Sequence, residues 1–515
     1  MNMTVVTLDI TSSILEPSTL LLLTVVFLLL LWWIHRRKHL PCLPPGPINW
    51  PLVGNLPTFL WHAFKAGSGL HELLTSHVLL ARLSKTYGKI YILQVFGNYM
   101  IIISDQKLLK EALSNPKIND RSRNQVTKKI FGTNSMSYET FQPYRRFAMS
   151  TFRQFGVGKQ LFEEKVSSES CELRNEISTL QGQPISLREL LTNATANVIC
   201  SIVFGKRYNY NDGNFKQLMN FAHRCNDALG AGGSENALPI LSSIPTNAKE
   251  DVDLFHSPIS DLVSNIIEEH RNKFDSNHIT DFVDAYLHMI KGQHHKNSEV
   301  PPDPKSFLTE DNMKGHLTAL FIAGSDATST AIHWGVLYLL ANSDIQSRVQ
   351  FELDSVVGRN RFPRISDKIN LPYTRAVIQE VLRMASPVPL AVLHTVSEDT
   401  TIGPYNVPKG ATVVPNIWAI HHDPQVWKDP DEFRPERFIN SRDKVPEVIP
   451  FSVGRRSCPG EALAHVMVFI FLTHLLHQFK FRVPEGSAIP SLQGESGIVL
   501  KPTDFQACFV ERDFN

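Results

Sequence analysis

The chain has 515 residues, of which 43% are hydrophobic and 20% charged, and its formal net charge is +1. This length can bury a large core, and the apolar content excludes a disordered chain. A net charge near zero gives no reason to expect nucleic acid as a partner. The six cysteines are scattered and include no CxxC pair, which excludes a disulfide scaffold and a cysteine-based zinc site.

The first element in chain order is an uncharged apolar segment near the N-terminus. Residues 19–34 read TLLLLTVVFLLLLWWI, and the basic block HRRKH follows at residues 35–39. The segment is slightly short of the roughly 20 residues that span a bilayer, and extending it back to Ile14 makes up the length at the cost of including Glu16. Because the cations follow the segment, the positive-inside rule places the N-terminus in the lumen and the body in the cytosol. A cleaved signal peptide would carry its basic residues before the apolar run, so we expect an uncleaved transmembrane anchor.

A proline-rich stretch, LPCLPPGPINWPLVGNL at residues 40–56, follows the anchor. Prolines at this density prevent a helix and favour extended structure. We therefore divide the chain into a lumenal N-terminus and anchor (1–34), a basic and proline-rich linker (35–52) and one large domain (53–515). In a reducing cytosol the cysteines of this domain are expected to be free thiols.

The large domain is mostly helix-patterned with two regions of strand signal, which predicts a mainly α fold with small β-sheets, in the α+β class. Residues 91–104 (YILQVFGNYMIIIS) predict a hairpin with a Gly-Asn turn. Residues 401–414 predict short strands around Pro-Lys-Gly. Residues 292–304 predict a solvated loop, and we expect its two adjacent histidines at the surface rather than on a metal.

Residues 309–342 form the strongest helix candidate. Thr309 can cap the helix, and two acidic residues follow it at the positive helix start. A continuous helix of about 30 residues would run roughly 45 Å and cross the middle of a large domain. Its centre, FIAGSDATST at residues 321–330, is rich in small and polar residues, which leaves room for a group to lie against it.

The segment FSVGRRSCPG at residues 451–460 carries the strongest chemical signal. A lone cysteine is normally a small buried hydrophobe. Cys458, however, comes just before a helix pattern (EALAHVMVFIFLTHLL), where backbone N–H groups stabilise a thiolate, and Arg456 adds a cation two residues away. Such a thiolate is either a nucleophile or an axial ligand of iron.

Two further motifs precede this segment. Glu380 and Arg383 share one helix face at i,i+3, a spacing that is common on solvated helices and carries little weight alone. Arg437, in the PERF sequence at residues 435–438, could complete a Glu-Arg-Arg cluster.

Together these motifs resemble those of the cytochrome P450 haem-thiolate monooxygenases. The pattern FxxGxRxCxG at 451–460, ExxR at 380–383, PERF at 435–438 and AGSDAT at 323–328 have the order and spacing of that family. The anchor and proline-rich hinge match its microsomal members, and phrases such as NVICSIVFGKRY and RRSCPGEALA look like the animal group of steroid, fatty-acid and xenobiotic hydroxylases. The resemblance covers residues 19 to about 510 and implies a P450 fold whose long central helix crosses the haem.

The resemblance also implies roles for single residues in binding haem b. Cys458 would be the axial thiolate and Phe451 would pack near the haem. Arg145, His394 and Arg456 would pair with the haem propionates. A separate set would form a buried ionic cluster that supports the cysteine loop, namely Glu380, Arg383 and Arg437.

The chain departs from the family pattern at two positions. Phe141 stands where the early-helix motif WxxxR has tryptophan, so one N–H donor to a propionate is lost. Ala327 stands where the family places its oxygen-activating threonine, while Asp326 is retained as the acid. Three interpretations remain open. Thr328, Ser325 or a water takes over the hydroxyl, or a substrate hydroxyl supplies it, or the enzyme rearranges a peroxide or similar substrate without activating dioxygen.

The resemblance implies a membrane-bound monooxygenase of the endoplasmic reticulum with a cytosolic catalytic domain. It would use O₂ and NADPH-derived electrons delivered by NADPH–cytochrome P450 reductase, with cytochrome b5 as an optional second donor. The substrate would be lipophilic, because residues 388–393 are apolar. Other substrate contacts are expected from residues 119–137 and 497–499, and residues 229–245 could form an entrance or only a surface loop. The alternatives are a haem-thiolate isomerase or dehydratase and a non-catalytic haem-binding protein.

Overall fold

The computed structural model describes residues 42–50, 52–66, 77–121, 138–155, 160–237, 247–295, 308–439 and 445–512, and residues 19–21, 23–24 and 27 near the N-terminus. Most of the predicted anchor and its basic block lie outside these residues. Parts of three predicted loops do as well, namely 122–137, 238–245 and 296–304. Among the described helices, only Glu461–Gln478 is long and apolar enough to cross a membrane, and 67% of it is buried in the protein core.

The architecture is mainly helical with small sheets at its edge, which confirms the predicted fold class. The described helices are α1 Leu56–Ala66, α2 His77–Tyr87, α3 Gln106–Ser114, α4 Tyr138–Gln154, α5 Gln160–Thr179, α6 Arg188–Val203, α7 Gly213–Ala237, α8 Asn247–Lys273, α9 Phe282–His295, α10 Glu310–Ala341, α11 Ser343–Val356, α12 Pro372–Ala385, α13 Ile417–His421 and α14 Glu461–Gln478. The described strands are β1 Ile90–Val95, β2 Asn98–Ile103, β3 Ile185–Ser186, β4 His394–Thr395, β5 Thr400–Ile402, β6 Tyr405–Val407, β7 Thr412–Pro415, β8 Phe479–Arg482, β9 Gly494–Glu495, β10 Lys501–Pro502 and β11 Gln506–Glu511.

The predicted hairpin is present as β1 and β2, which pair antiparallel from end to end. The turn lies one residue earlier than predicted, at Phe96 and Gly97, which have φ angles of +46° and +83°. A two-residue hairpin turn with two positive φ values matches the twist of the strands, and glycine adopts that conformation without strain. Asn98 is therefore the first residue of β2 and pairs with Val95.

The second predicted strand region divides between two sheets. β5 and β6 form a hairpin of their own, whereas β7 lies parallel to β2 in a four-stranded sheet with the order β1-β2-β7-β4. Parallel pairing joins segments far apart in the chain, so the local pattern did not reveal which strand β7 would join.

The predicted central helix is α10, which spans 32 residues. The Thr309 hydroxyl accepts a hydrogen bond from the Asn312 N–H, so the predicted N-cap is present. At about 1.5 Å per residue the helix is about 48 Å long. It packs against α6, α7, α12 and α14, and it runs through the largest hydrophobic core cluster. This position makes α10 one wall of the interior.

The structure joins Glu380, Arg383 and Arg437 in one ionic cluster. Arg383 donates from Nε and Nη2 to the two oxygens of Glu380 at 2.8 and 2.9 Å, and both side chains are fully buried. Arg437 donates from Nε to Glu380 Oε1 at 2.9 Å. Because each charge has a geometrically matched partner, the cost of desolvating the three groups is offset.

His421 connects this cluster to the cysteine loop. Arg383 Nη1 donates to the His421 carbonyl at 2.7 Å, and His421 Nε2 accepts the Ile449 N–H at 2.9 Å. Because Nε2 accepts, Nδ1 carries the proton and donates to the Ser386 hydroxyl at 2.8 Å. Burial holds the pKa of His421 well below its usual value, which keeps the ring neutral. A chain of buried bonds thus runs from α12 to the start of the loop.

We expect Glu380→Leu to lower the free energy of unfolding by about 3–5 kcal/mol, because it leaves Arg383 buried without its carboxylate. Glu436→Leu is the matched control, since Glu436 pairs with Arg348 in a half-exposed ion pair. The control should cost no more than about 1 kcal/mol. Urea unfolding of the detergent-solubilised protein measures both, and equal losses would show that burial of the cluster does not matter.

Candidate functional site

The cysteine loop is held in a tight conformation at the N-terminus of α14. The Cys458 N–H donates to the Phe451 carbonyl at 2.9 Å, and Gly460 is the N-cap of the helix. Gly454 has φ +81°, and a Cβ at this position would lie 2.4 Å from the Leu113 carbonyl oxygen. Only glycine fits so close to α3 in this conformation. The loop therefore presents Cys458 directly before the first turn of α14, as the sequence predicted.

The helix start alone does not make Cys458 a thiolate. Burial raises the pKa of the Cys458 thiol, and the neighbouring Glu461 carboxylate raises it further. The Gly460 N–H and the Arg145 guanidinium act in the opposite direction but are outweighed. A thiol in such surroundings loses its proton when a metal ion coordinates the sulfur. These surroundings fit a metal ligand better than a free nucleophile.

Cys458 and the centre of α10 line the same interior cavity. Its volume is about 440 Å³, and its lining is mostly apolar. The lining includes Phe451 and Cys458 from the cysteine loop, and Asp326, Ala327 and Thr328 from α10. The structure thus brings residues more than a hundred positions apart in the sequence into one space.

One end of the cavity is cationic. Arg145 on α4 donates from Nη1 to the Ser457 carbonyl at 2.7 Å, and Arg456 donates from Nε to the Asn119 carbonyl at 2.9 Å. Both arginines line the cavity. The predicted third member, His394, lies nearby rather than in the lining, and its Nδ1 is 2.8 Å from the Ile118 carbonyl. Burial, followed by repulsion from Arg121 and Arg456, holds the pKa of His394 well below its usual value, so this ring is neutral.

Arg121 lies within the predicted contact range 119–137, but its role as a third cation of the site was not predicted. It lines the cavity and donates from Nη1 to the carbonyls of Val392 and Leu393 at 2.6 and 3.1 Å. Burial lowers the pKa of the Arg121 guanidinium, and repulsion from Arg456 and Arg145 lowers it further. Three guanidinium groups this close favour an anionic ligand between them. A single arginine in a predicted loop gives no signal of such a role.

Phe141, which stands at the tryptophan position of the WxxxR motif, makes a contact that the sequence did not predict. Its ring lies 4.2 Å from the centre of the Arg456 guanidinium, in cation–π geometry. The aromatic ring thus orients a cation at the cavity end, although it has no N–H to donate.

The polar residues of α10 differ in their exposure to the cavity. Thr328 lines it, whereas Ser325 is fully buried outside the lining and its hydroxyl lies 3.3 Å from the Ile322 carbonyl. Of the two side chains considered as substitutes for the hydroxyl missing at Ala327, only Thr328 is at the wall. Asp326 has two partners that the sequence did not predict, Lys501 Nζ at 2.8 Å and Asn226 Nδ2 at 3.0 Å.

The residues present fit haem b, the group that the sequence resemblance implies. A flat apolar macrocycle suits the mostly apolar cavity between α10 and the cysteine loop. Cys458 supplies one sulfur ligand, and the cluster of Arg121, Arg145 and Arg456 suits two carboxylates at one edge. Each chemical part of the group thus has a matching surface.

Comparison with known proteins agrees with this geometry. The cytochrome P450 family model matches residues 44–509. Cytochrome P450 2U1 from Rattus norvegicus is 34% identical over 495 residues, covering 91% of each chain. Cytochrome P450 2J1 from Oryctolagus cuniculus is 34% identical over 478 residues with the same coverage, and cytochrome P450 18a1 from Drosophila melanogaster is 31% identical over 492 residues, covering 93% of this chain and 89% of its own.

A solved structure has the same fold. The structure of a zebrafish cytochrome P450 with progesterone is 30% identical in sequence and superposes with a TM-score of 0.75. The match covers 85% of this chain and 99% of that chain.

We expect Arg121→Gln to accelerate haem loss by about ten- to a hundredfold, because one charge-assisted hydrogen bond is worth about 1.5–3 kcal/mol. Arg146→Gln is the matched control, since Arg146 is exposed on α4 next to Arg145. Haem transfer to apomyoglobin, followed at the Soret band, gives the rates. Equal rates for the two variants would contradict a role for Arg121 in anion binding.

Proposed function

The chain belongs to the cytochrome P450 family and is a haem-thiolate monooxygenase of lipophilic small molecules, and we propose that Cys458 is its axial ligand and that α10 forms the oxygen-activating wall. The observation that supports this assignment is that Cys458 lines one apolar cavity together with Asp326, Ala327 and Thr328. Haem bound there would supply the activation of O₂ with two electrons and two protons, so that one oxygen atom is inserted into the substrate and the other is released as water.

The protein's own residues bind and orient the cofactor and limit the access of water. Phe451 lines the cavity next to the cysteine loop and would pack near the haem, and Arg121, Arg145 and Arg456 would hold the propionates. Thr328 lines the cavity and could hold a water with its hydroxyl, in place of the hydroxyl that Ala327 lacks. This geometry favours the first of the three interpretations given for Ala327, and the family assignment favours a monooxygenase over an isomerase or a simple haem binder.

We propose that electrons reach the site from NADPH–cytochrome P450 reductase, with cytochrome b5 as an optional donor, at the surface next to the cysteine loop. Arg145 binds the loop through Ser457, and Arg146 and Arg153 on the same helix are exposed, as is Arg455 in the loop. Exposed cations on the thiolate side favour docking of an acidic partner although the net charge is near zero.

We propose that the chain is held at the endoplasmic reticulum membrane by residues 1–34, with the domain from residue 53 in the cytosol. Large apolar side chains in and after the proline-rich linker are exposed. They include Ile48 and Trp50 in the linker and Trp61 on α1. Exposed tryptophans beside an anchor suit the interface between lipid and water. A steroid, a fatty acid or a xenobiotic would each suit the apolar cavity, and progesterone accompanies the zebrafish structure.

The assignment of Cys458 is tested by the carbon monoxide difference spectrum of the reduced, detergent-solubilised protein. The wild type should show the strongly red-shifted Soret band of a thiolate-bound haem. Cys458→Ser should lose this band while remaining folded, because a hydroxyl does not replace the thiolate. The absence of any haem band in folded wild-type protein would overturn the proposed function.

We expect Ala327→Thr to increase the fraction of NADPH that appears as product, because it restores a second hydroxyl next to Asp326. The companion variant Thr328→Val should decrease this fraction severalfold and increase peroxide release. Reconstitution with the reductase and lauric acid as probe measures both products against NADPH use. Turnover of a hydroperoxide by the native protein without any reductase would instead support the isomerase alternative.

A further inference from the structure

Charge is distributed unevenly around the cavity. The cluster of Arg121, Arg145 and Arg456 occupies one end and suits the anionic edge of the cofactor. Asp326 is the one carboxylate in the cavity lining that the described residues provide, and it is 3% exposed. No group of the cofactor is expected to neutralise a carboxylate on the central helix, so the protein itself must do so.

Lys501 supplies this neutralising charge from a distant part of the chain. Its Nζ lies 2.8 Å from Asp326 Oδ2, and its side chain is 21% exposed. The lysine is on β10, two residues after Val499, which lines the cavity. It directly follows Leu500, whose carbonyl accepts the Trp334 Nε1–H at 2.8 Å. The ammonium group therefore approaches Asp326 from behind the cavity wall and does not line the cavity itself.

Asn226 on α7 completes the contact by donating from Nδ2 to the same Asp326 oxygen at 3.0 Å. His223, one turn earlier on α7, is near enough to be influenced by both Asp326 and Lys501. Burial lowers the pKa of His223, so its ring is neutral at pH 7 and adds no charge. Asp227 and Glu189 also act on His223, but both are exposed to solvent. The buried charges at this wall are therefore the Asp326 carboxylate and the Lys501 ammonium, which cancel each other.

We propose that Lys501 is a specificity-determining residue that neutralises Asp326, so that this wall accepts the uncharged part of a lipophilic substrate. An unpaired buried carboxylate at the same place would instead attract a cationic head group, because Coulomb attraction is strong where water is excluded. The inference deepens the proposed monooxygenase function and rests on it. It assigns to the chain substrates that carry no charge on the part lying against α10.

The test measures binding and needs no turnover. Three probes share a ten-carbon chain and differ in head group, namely decyltrimethylammonium, 1-decanol and decanoate. A quaternary ammonium has no lone pair and cannot coordinate iron, so its binding reports only on the cavity. Dissociation constants are measured on the haem-loaded full chain by calorimetry and by the shift of the Soret band.

Two single variants should change the selectivity in opposite directions. Lys501→Met should bind decyltrimethylammonium about tenfold more tightly than the wild type, which corresponds to about 1.4 kcal/mol, with less than a twofold change for 1-decanol. Asp326→Asn leaves the ammonium uncompensated and should favour decanoate by a similar factor. The double variant removes both charges and should show neither gain.

A structural control separates charge from packing. Lys501 belongs to a hairpin in which β9 and β10 pair antiparallel. Arg188 holds this hairpin through Glu495 at 3.3 Å and the Pro502 carbonyl, and it forms no bond with Asp326. Arg188→Gln loosens the hairpin without changing the charge at the cavity wall, so its three dissociation constants should keep the wild-type ratios. Lys501→Arg retains the cation and should also keep them.

Unchanged probe ratios in both Lys501→Met and Asp326→Asn would overturn the inference, as would a shift in Arg188→Gln equal to that in Lys501→Met. The carbon monoxide spectrum, recorded on the same samples, separates this failure from failure of the proposed function. A normal red-shifted band with unchanged ratios rejects only the role of Lys501. A missing band in the folded wild type rejects the proposed function itself.

Discussion

The buried ion pair of Glu380 and Arg383 is the interaction on which the rest of the structure depends. Arg383 donates a hydrogen bond to the His421 carbonyl. The neutral imidazole of His421 in turn accepts the N–H of Ile449, two residues before the cysteine loop begins. Every bond in this chain is buried, so none is exchanged readily for water. The loop that carries Cys458 is therefore positioned by a buried ion pair on a different helix, α12, more than seventy residues earlier in the chain.

The cavity is organised by the same principle of compensated charge. At one end three arginines are close enough to repel one another, and an anionic ligand relieves that repulsion. On α10, Asp326 is compensated from within the protein by Lys501 and Asn226. The apolar surface between these sites leaves shape and hydrophobic burial to select the substrate. The placement of charges around the cavity, rather than the net charge of the protein, thus decides where the anionic and the apolar parts of a ligand lie.

Several features could be predicted from the sequence because their signals are local. The β1–β2 hairpin follows from residues that favour strands and a glycine turn, and α10 follows from its cap and its apolar length. The place of Cys458 before α14 follows from Pro459 and Gly460. The predicted site residues on α10 and in the cysteine loop do meet at one cavity, since both segments carried recognisable motifs.

What the sequence by itself determined was the fold class, the family and the residues that carry short motifs, because those depend on neighbours within a few positions. Only the tertiary structure decided which charged side chains meet their partners. Arg121 and Lys501 stand in segments without a motif, and their roles arise from carbonyls and carboxylates more than a hundred residues away. The structure also turned Ser325 away from the cavity and left Thr328 at its wall, because the packing of α10 against α6 decides which of its faces borders the cavity. Electrostatic and packing partners of this kind are separated by long loops, so no local pattern encodes them.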